Sequence, residues 1–145
     1  MYYVNREQIS IRLAVIPDIA EALTTLAKSW NGSLLQGLSQ ERALHLAVET
    51  VTDVGSYLID GFIMRDASSY EDIIEIIAGE NVFPEPLKVT LLELVRLRRP
   101  LVQDYYEWTR EALHPLTQVL PETLSAFKSA VEAYLLQELG EERPS

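Results

Sequence analysis

Between Leu44 and Phe62 the apolar residues recur at steps of three and four: Leu44, Ala47, Val48, Val51, Val54, Gly55, Leu58, Ile59 and Phe62. That rhythm is one wide face of an α-helix and rules out the two-residue alternation of a half-buried strand. A helix with so broad an apolar face is stable only when other helices cover it. No other segment of the chain alternates with period two over a useful length. The fold class that follows is all-α, an antiparallel bundle of about five helices.

Proline and glycine divide the chain into those segments. The first runs from about Asn5 to Ser29, with Ile9, Leu13, Ile16, Ala20, Leu23 and Ala27 at helical spacing. Pro17 predicts a kink there, because it lacks an N–H and crowds the carbonyl of Leu13. Asn31-Gly32-Ser33 marks a loop. Ser39 is the candidate N-cap of the second helix, with Glu41 in its first turn. Gly55 in its middle costs about 1 kcal/mol relative to Ala, and such a glycine often admits another backbone. Asp53 lies off the stripe. After a linker from Met64 to Ser69, Ser69-Tyr70-Glu71-Asp72 resembles a capping box and opens a short helix, Tyr70 to Ala78, ending at Gly79. Asn81 to Pro86 is a second linker, and Pro86 suits the first position of the fourth helix. Pro100 predicts a kink or break at Arg99. The last helical region runs from about Thr109 to Leu139, interrupted at Pro115 and Pro121, with Leu124, Phe127, Val131, Tyr134, Leu135 and Leu139 on its buried face. Residues 1–140 are expected to form one domain, and 141–145 a flexible acidic tail.

At 145 residues and 48% apolar, the chain fills a core without a disulfide or metal, and it has no cysteine. The net charge of −10 argues against generic nucleic-acid binding, since phosphate attraction supplies most non-specific affinity. A small basic cleft remains compatible with it. No run approaches a membrane span, and the N-terminus lacks a signal-peptide core, so a cytoplasmic protein is expected. Phosphate-loop, zinc-protease and serine-elbow motifs are absent. His45 and His114 read as surface or partly buried histidines. The carboxylates of Glu71, Asp72 and Glu75 lack the Glu-x-x-His pairs of a bundle metal site. No cofactor is expected.

Arg98 breaks the local rule. Leu87, Leu91, Leu94 and Val95 form an apolar face that continues to Leu101, Val102 and Tyr105, and Arg98 sits on it. A buried guanidinium needs a carboxylate, a cleft or another subunit. Arg96, Arg98 and Arg99 are also the one local basic cluster in an acidic chain, although helix C-termini favour such residues through the helix dipole.

Helix two (Glu41 to Ile59), the Ser69-Tyr70-Glu71-Asp72-Ile-Ile stretch and Arg98-Arg99-Pro100-Leu-Val-Gln103-Asp-Tyr105 together resemble the HepT-like branch of the HEPN superfamily. Family members usually read Arg, a polar residue often Asn, three more residues, His, one residue and Tyr. The resemblance implies an HEPN-like bundle and a homodimer whose motif residues line a shared cleft. It also implies RNase activity as a toxin, and a minimal nucleotidyltransferase antitoxin that adenylylates the motif tyrosine. By position, Arg98 matches the arginine and Tyr105 the modified tyrosine. Gln103 stands at the His position and Arg99 at the Asn position. Arg96, Arg99 and Asp53 are the expected binding residues beside Arg98 and the degenerate Gln103.

Histidine suits proton transfer near neutrality, whereas an amide only hydrogen-bonds. The leading expectation is therefore a catalytically degenerate relative that keeps a basic dimer cleft for RNA, a nucleotide or the antitoxin. The alternative is an active metal-independent endoribonuclease toxin. In a third reading Arg98 is only an interface ion pair.

Overall fold

The computed structural model describes residues 2–140; the expected 141–145 tail lies outside the described residues. Among these, the structure is all helical: α1 (Arg6–Leu13), α2 (Ile16–Ser29), α3 (Leu34–Gly61), α4 (Tyr70–Gly79), α5 (Pro86–Arg96), α6 (Arg98–Val102), a 3-10 turn (Tyr105–Glu107) and α7 (Pro115–Leu139). The expected fold class stands. Two of the five expected segments are each cut in two.

Proline explains both cuts. Pro17 does not kink a continuous helix; the chain breaks at Ala14–Val15, and Pro17 falls in the first turn of α2, where its missing N–H costs nothing. Likewise the break expected at Arg99 lies at Leu97, and Arg98 opens α6 with Pro100 in its first turn. Pro115 opens α7, and His114 before it is extended, so residues 109–114 are not helical as expected. Pro121 does not interrupt α7, which runs through it.

The cap of α3 is Ser33, not Ser39: Ser33 Oγ accepts from the Gln36 N–H at 3.2 Å. Asn31 Oδ1 in turn accepts from the Ser33 N–H at 3.0 Å, so the Asn-Gly-Ser loop supplies its own cap. The Ser69 cap of α4 is as expected, with Ser69 Oγ accepting from the Asp72 N–H at 3.0 Å. The Asp72 carboxylate reaches back to the Ser68 N–H at 2.9 Å and takes both Nη atoms of Arg65 at 2.7 Å.

The α3 stripe is the centre of the core. Leu44, Ala47, Val48, Val51, Val54 and Leu58 are fully buried, and meet Leu23 of α2, Ile74 of α4, Leu91 of α5 and Phe127 of α7. Burying each such side chain contributes about 1.5–3 kcal/mol. Gly55 admits a side chain rather than a backbone: a Cβ there would overlap Ile73 of α4. Backbone comes close at Gly37, under the carbonyl of Arg110, and at Gly61, against the Cα of Val4.

Candidate functional site

The break at Leu97 decides where the three arginines go. They do not form one patch. Arg96, exposed at the end of α5, pairs through Nε with Glu71 Oε1 of α4 at 3.2 Å. Arg99 is largely exposed, and its Nε faces Asp104 Oδ2 at 3.4 Å. Arg98 turns inward, with its side chain only 26% exposed. It meets both a carboxylate and a ring. Its Nε lies 3.6 Å from Glu49 Oε1 of α3, and its guanidinium carbon sits 4.2 Å from the centroid of Tyr70, the first residue of α4. The first turn of α4 therefore receives two arginines on adjacent residues, Tyr70 and Glu71.

Arg98 Nε is buried and makes no hydrogen bond, because 3.6 Å to Glu49 is too long. Arg110 Nε, 2.8 Å from Glu41 Oε2, is likewise buried without a well-directed hydrogen bond, but its Nη2 donates to Glu41 Oε1 at 3.4 Å. A charged donor left short of an acceptor suits an anion better than it suits the apoprotein.

Glu49 Oε1 serves a second group. His45 Nε2, one helical turn earlier on α3, stands 3.4 Å from the same oxygen, and His45 Nδ1 is 3.4 Å from Nη1 of the exposed Arg42. His45 is the partly buried histidine expected from the sequence, with charged partners that the sequence reading did not name. It is two-thirds buried and belongs to a row of Arg42, His45 and Glu49 that ends on Arg98. Sequence reasoning missed Glu49, His45 and Tyr70; the i, i+4 spacing of His45 and Glu49 was the available signal.

Asp53 continues that row by one more turn, but its carboxylate is held from the other side. Arg12 Nε of α1 donates to Asp53 Oδ2 at 3.0 Å, and the same guanidinium lies over Tyr57. The structure thus gives Asp53 a partner between α1 and α3 and does not bring it onto Arg98. Gln103 is exposed at the C-terminal end of α6, its N–H donating to the Arg99 carbonyl at 2.8 Å. Tyr105 is 55% exposed and meets Tyr106 edge to face.

Behind the motif turn lies a cavity of about 380 Å³ walled by Pro100, Asp104, Trp108 and His114. Trp108 stacks on His114 at 5.6 Å. Burial lowers the His114 pKa below its ordinary value, against a weaker opposite pull from Glu93. Its Nδ1 accepts from the Leu116 N–H, capping α7. The fully buried Gln40 ties this segment to α3: its Oε1 accepts from the His114 N–H at 2.8 Å and from Thr117 Oγ1 at 2.7 Å, and its Nε2 donates to the Ala112 carbonyl at 3.1 Å. Among the described residues no group of three His, Asp or Glu side chains is placed to hold a metal ion.

Comparison with known proteins gives this geometry a family. A curated Bacillus subtilis (strain 168) protein named "Putative RNase YutE" is 34% identical over 140 residues, covering 97% of this chain and 96% of that protein. A solved structure described as the cytosolic protein of unknown function YutE from Bacillus subtilis superposes with a TM-score of 0.87 at 33% identity, over 99% of each chain. A Shewanella oneidensis HEPN toxin, tri-AMPylated and in complex with MNT antitoxin, shares the fold at a TM-score of 0.75 and 20% identity, over 86% of this chain and 96% of that one. The family model described as ribonuclease HepT-like matches residues 14–133, most of the chain and all of the Arg98 site. The chain belongs to the ribonuclease HepT-like family.

Proposed function

We propose that this protein is a homodimeric RNA-binding protein that cuts RNA slowly, by acid–base chemistry of its own side chains. The observation that carries the reading is Arg98: largely withdrawn from water, stacked on Tyr70, and short of an acceptor for Nε. When a phosphodiester is cleaved, charge grows on the phosphate oxygens, and a guanidinium already fixed in place stabilises it without reorganising. The exposed Arg42 and Arg99 offer cations to neighbouring phosphates. The RNase name of the 34% identical relative supports the substrate class.

Gln103 sets the pace. Its amide can hold a hydroxyl or phosphate oxygen but cannot exchange a proton near neutral pH. Loss of a general acid or base lowers rates by on the order of 10²–10⁴. The same residue favours a second reading, in which the dimer cleft binds RNA, a nucleotide or an antitoxin without cleavage.

Dimerisation does not draw on the α3 stripe, which this chain buries itself. Its support is the apolar surface that stays exposed: Leu34, Leu35 and Leu38 at the start of α3, Val89 on α5, and Tyr105 with Tyr106. The exposed Tyr105 hydroxyl is the position for adenylylation by a minimal nucleotidyltransferase antitoxin, the pairing suggested by the AMPylated Shewanella toxin in its complex. Intact mass after co-expression, with Tyr105→Phe as control, tests that step. A cytosolic setting belongs to the same reading; the YutE structure is described as cytosolic, and among the described residues no helix is long and apolar enough to cross a membrane.

The test of function is incubation of the full chain with labelled RNA beside a Gln103→His variant. Slow cutting by the natural chain is expected, with an increase on the order of 10² in the variant. RNA binding without cutting by either supports the second reading. Neither binding nor cutting refutes both.

A further inference from the structure

We propose that His45 carries the proton that position 103 cannot, as general base toward the 2′-hydroxyl of an RNA whose phosphate rests on Arg98. The inference rests on the RNA cleavage proposed above and names the residue that performs it.

Three contacts lead to it. His45 Nε2 and Arg98 Nε converge on one oxygen, Glu49 Oε1, at 3.4 and 3.6 Å. An anion drawn to Arg98 therefore arrives beside the imidazole. Second, Glu49 faces Nε2, so the neutral ring keeps its N–H there and leaves Nδ1 as the basic nitrogen. A carboxylate that orients a histidine while its other nitrogen works is a recurrent catalytic arrangement. Third, Nδ1 is not buried against the core; its neighbour is Nη1 of the exposed Arg42 at 3.4 Å. That guanidinium is free to move to a phosphate oxygen and uncover the nitrogen. His114, the other histidine, has no such freedom, since it stacks on Trp108 and caps α7.

The charged groups around the ring are Arg42 and Glu49 of α3 and Arg98 of α6, with Tyr70 of α4 backing Arg98. In the reaction the 2′-oxygen bonds to phosphorus as its proton passes to His45 Nδ1. The P–O5′ bond breaks, and the 5′-oxygen takes a proton from water. The hydroxide so formed is neutralised by the proton that His45 gives up. The products are a 2′,3′-cyclic phosphate and a 5′-hydroxyl, and the histidine is restored. Arg98 stabilises the charge on the non-bridging oxygens throughout.

The experiment follows cleavage of a labelled single-stranded RNA by the full chain and by His45→Gln, across the histidine range of about pH 5–8. His45 is partly exposed, so the variant keeps the fold, which its thermal melt verifies. The natural chain is expected to cut faster as pH rises through that range and to leave cyclic phosphate ends. His45→Gln is expected to bind RNA with unchanged affinity, cut on the order of 10² more slowly, and lose the rise with pH. Should His45→Gln melt early, Glu49→Gln keeps the histidine and frees it from its carboxylate; a slower rate is again expected. A His45→Gln protein that cuts at the natural rate, or keeps the same pH profile, overturns this inference and leaves the proposed function standing. A natural chain that does not cut overturns both.

Discussion

Gln40 is one of the residues through which the bundle holds the segment behind the motif turn, beside Trp30 on the Glu111 carbonyl and Glu41 on Arg110, and replacing it with Leu keeps most of its volume while removing the amide. Three groups lose their partner: the His114 N–H, the Thr117 hydroxyl and the Ala112 carbonyl. Ala112 is exposed, so water takes its carbonyl at little cost. Thr117 is fully buried and His114 half-buried, so these two remain unsatisfied. An unsatisfied buried polar group costs about 1–3 kcal/mol, and the apolar replacement returns part of that, which leaves a net loss of about 2–4 kcal/mol. For a chain of this size each kcal/mol lowers the melting temperature by about 2–4 °C, so Gln40→Leu is expected to melt roughly 5–15 °C early. Thermal unfolding followed by circular dichroism measures the shift, and hydrogen exchange at the His114 amide locates it. A variant that melts within about 2 °C of the natural chain, with that amide still protected, would show that the Trp30–Glu111 and Arg110–Glu41 contacts hold the segment and that the buried amide does not.

Asp72 carries the clearest pH dependence. Its pKa is held well below the ordinary 3.8, first by Arg65 and then by the Ser68 N–H. A depressed carboxylate stabilises the fold above its unfolded pKa, and the contribution fades as pH falls below 3.8 towards the native value. Asp72→Asn is therefore expected to lower stability at neutral pH and to make little difference in strong acid, as denaturant melts at both pH values will show. Gly55→Ala gains about 1 kcal/mol of helix propensity but drives a methyl into Ile73, an overlap that costs about 1–3 kcal/mol. A net loss is expected on melting, together with a displaced α4 and weaker RNA binding, because α4 carries Tyr70.

The helices were legible because apolar spacing in Leu44–Phe62 and Leu124–Leu139 is dictated by burial, and the structure buries most of those positions. The cuts were less so. Proline announces that a helix cannot pass, but Pro17 and Pro100 are accommodated by restarting the helix one and two residues earlier, and only packing selects that solution. Arg98 stood out as a charge on an apolar face that needed a carboxylate, a cleft or another subunit, and within the chain it faces the Glu49 carboxylate. Which carboxylate answers it depends on how α6 meets α3, which no local pattern encodes. Asp53 and Glu49 are one turn apart and look alike in sequence; α1 claims the first through Arg12, and α6 reaches the second. His45 became visible as a site residue only through that choice.

The central claim is that Arg98 binds RNA phosphate and supports its cleavage. The direct measurement is cleavage of a labelled single-stranded RNA by the natural chain and by Arg98→Ala, both purified identically and shown by their melts to be folded. The account predicts discrete fragments from the natural chain and a rate lower by on the order of 10² or more in Arg98→Ala, with weaker RNA binding. Equal cleavage by the two proteins, or none by either together with equal RNA binding, would contradict it.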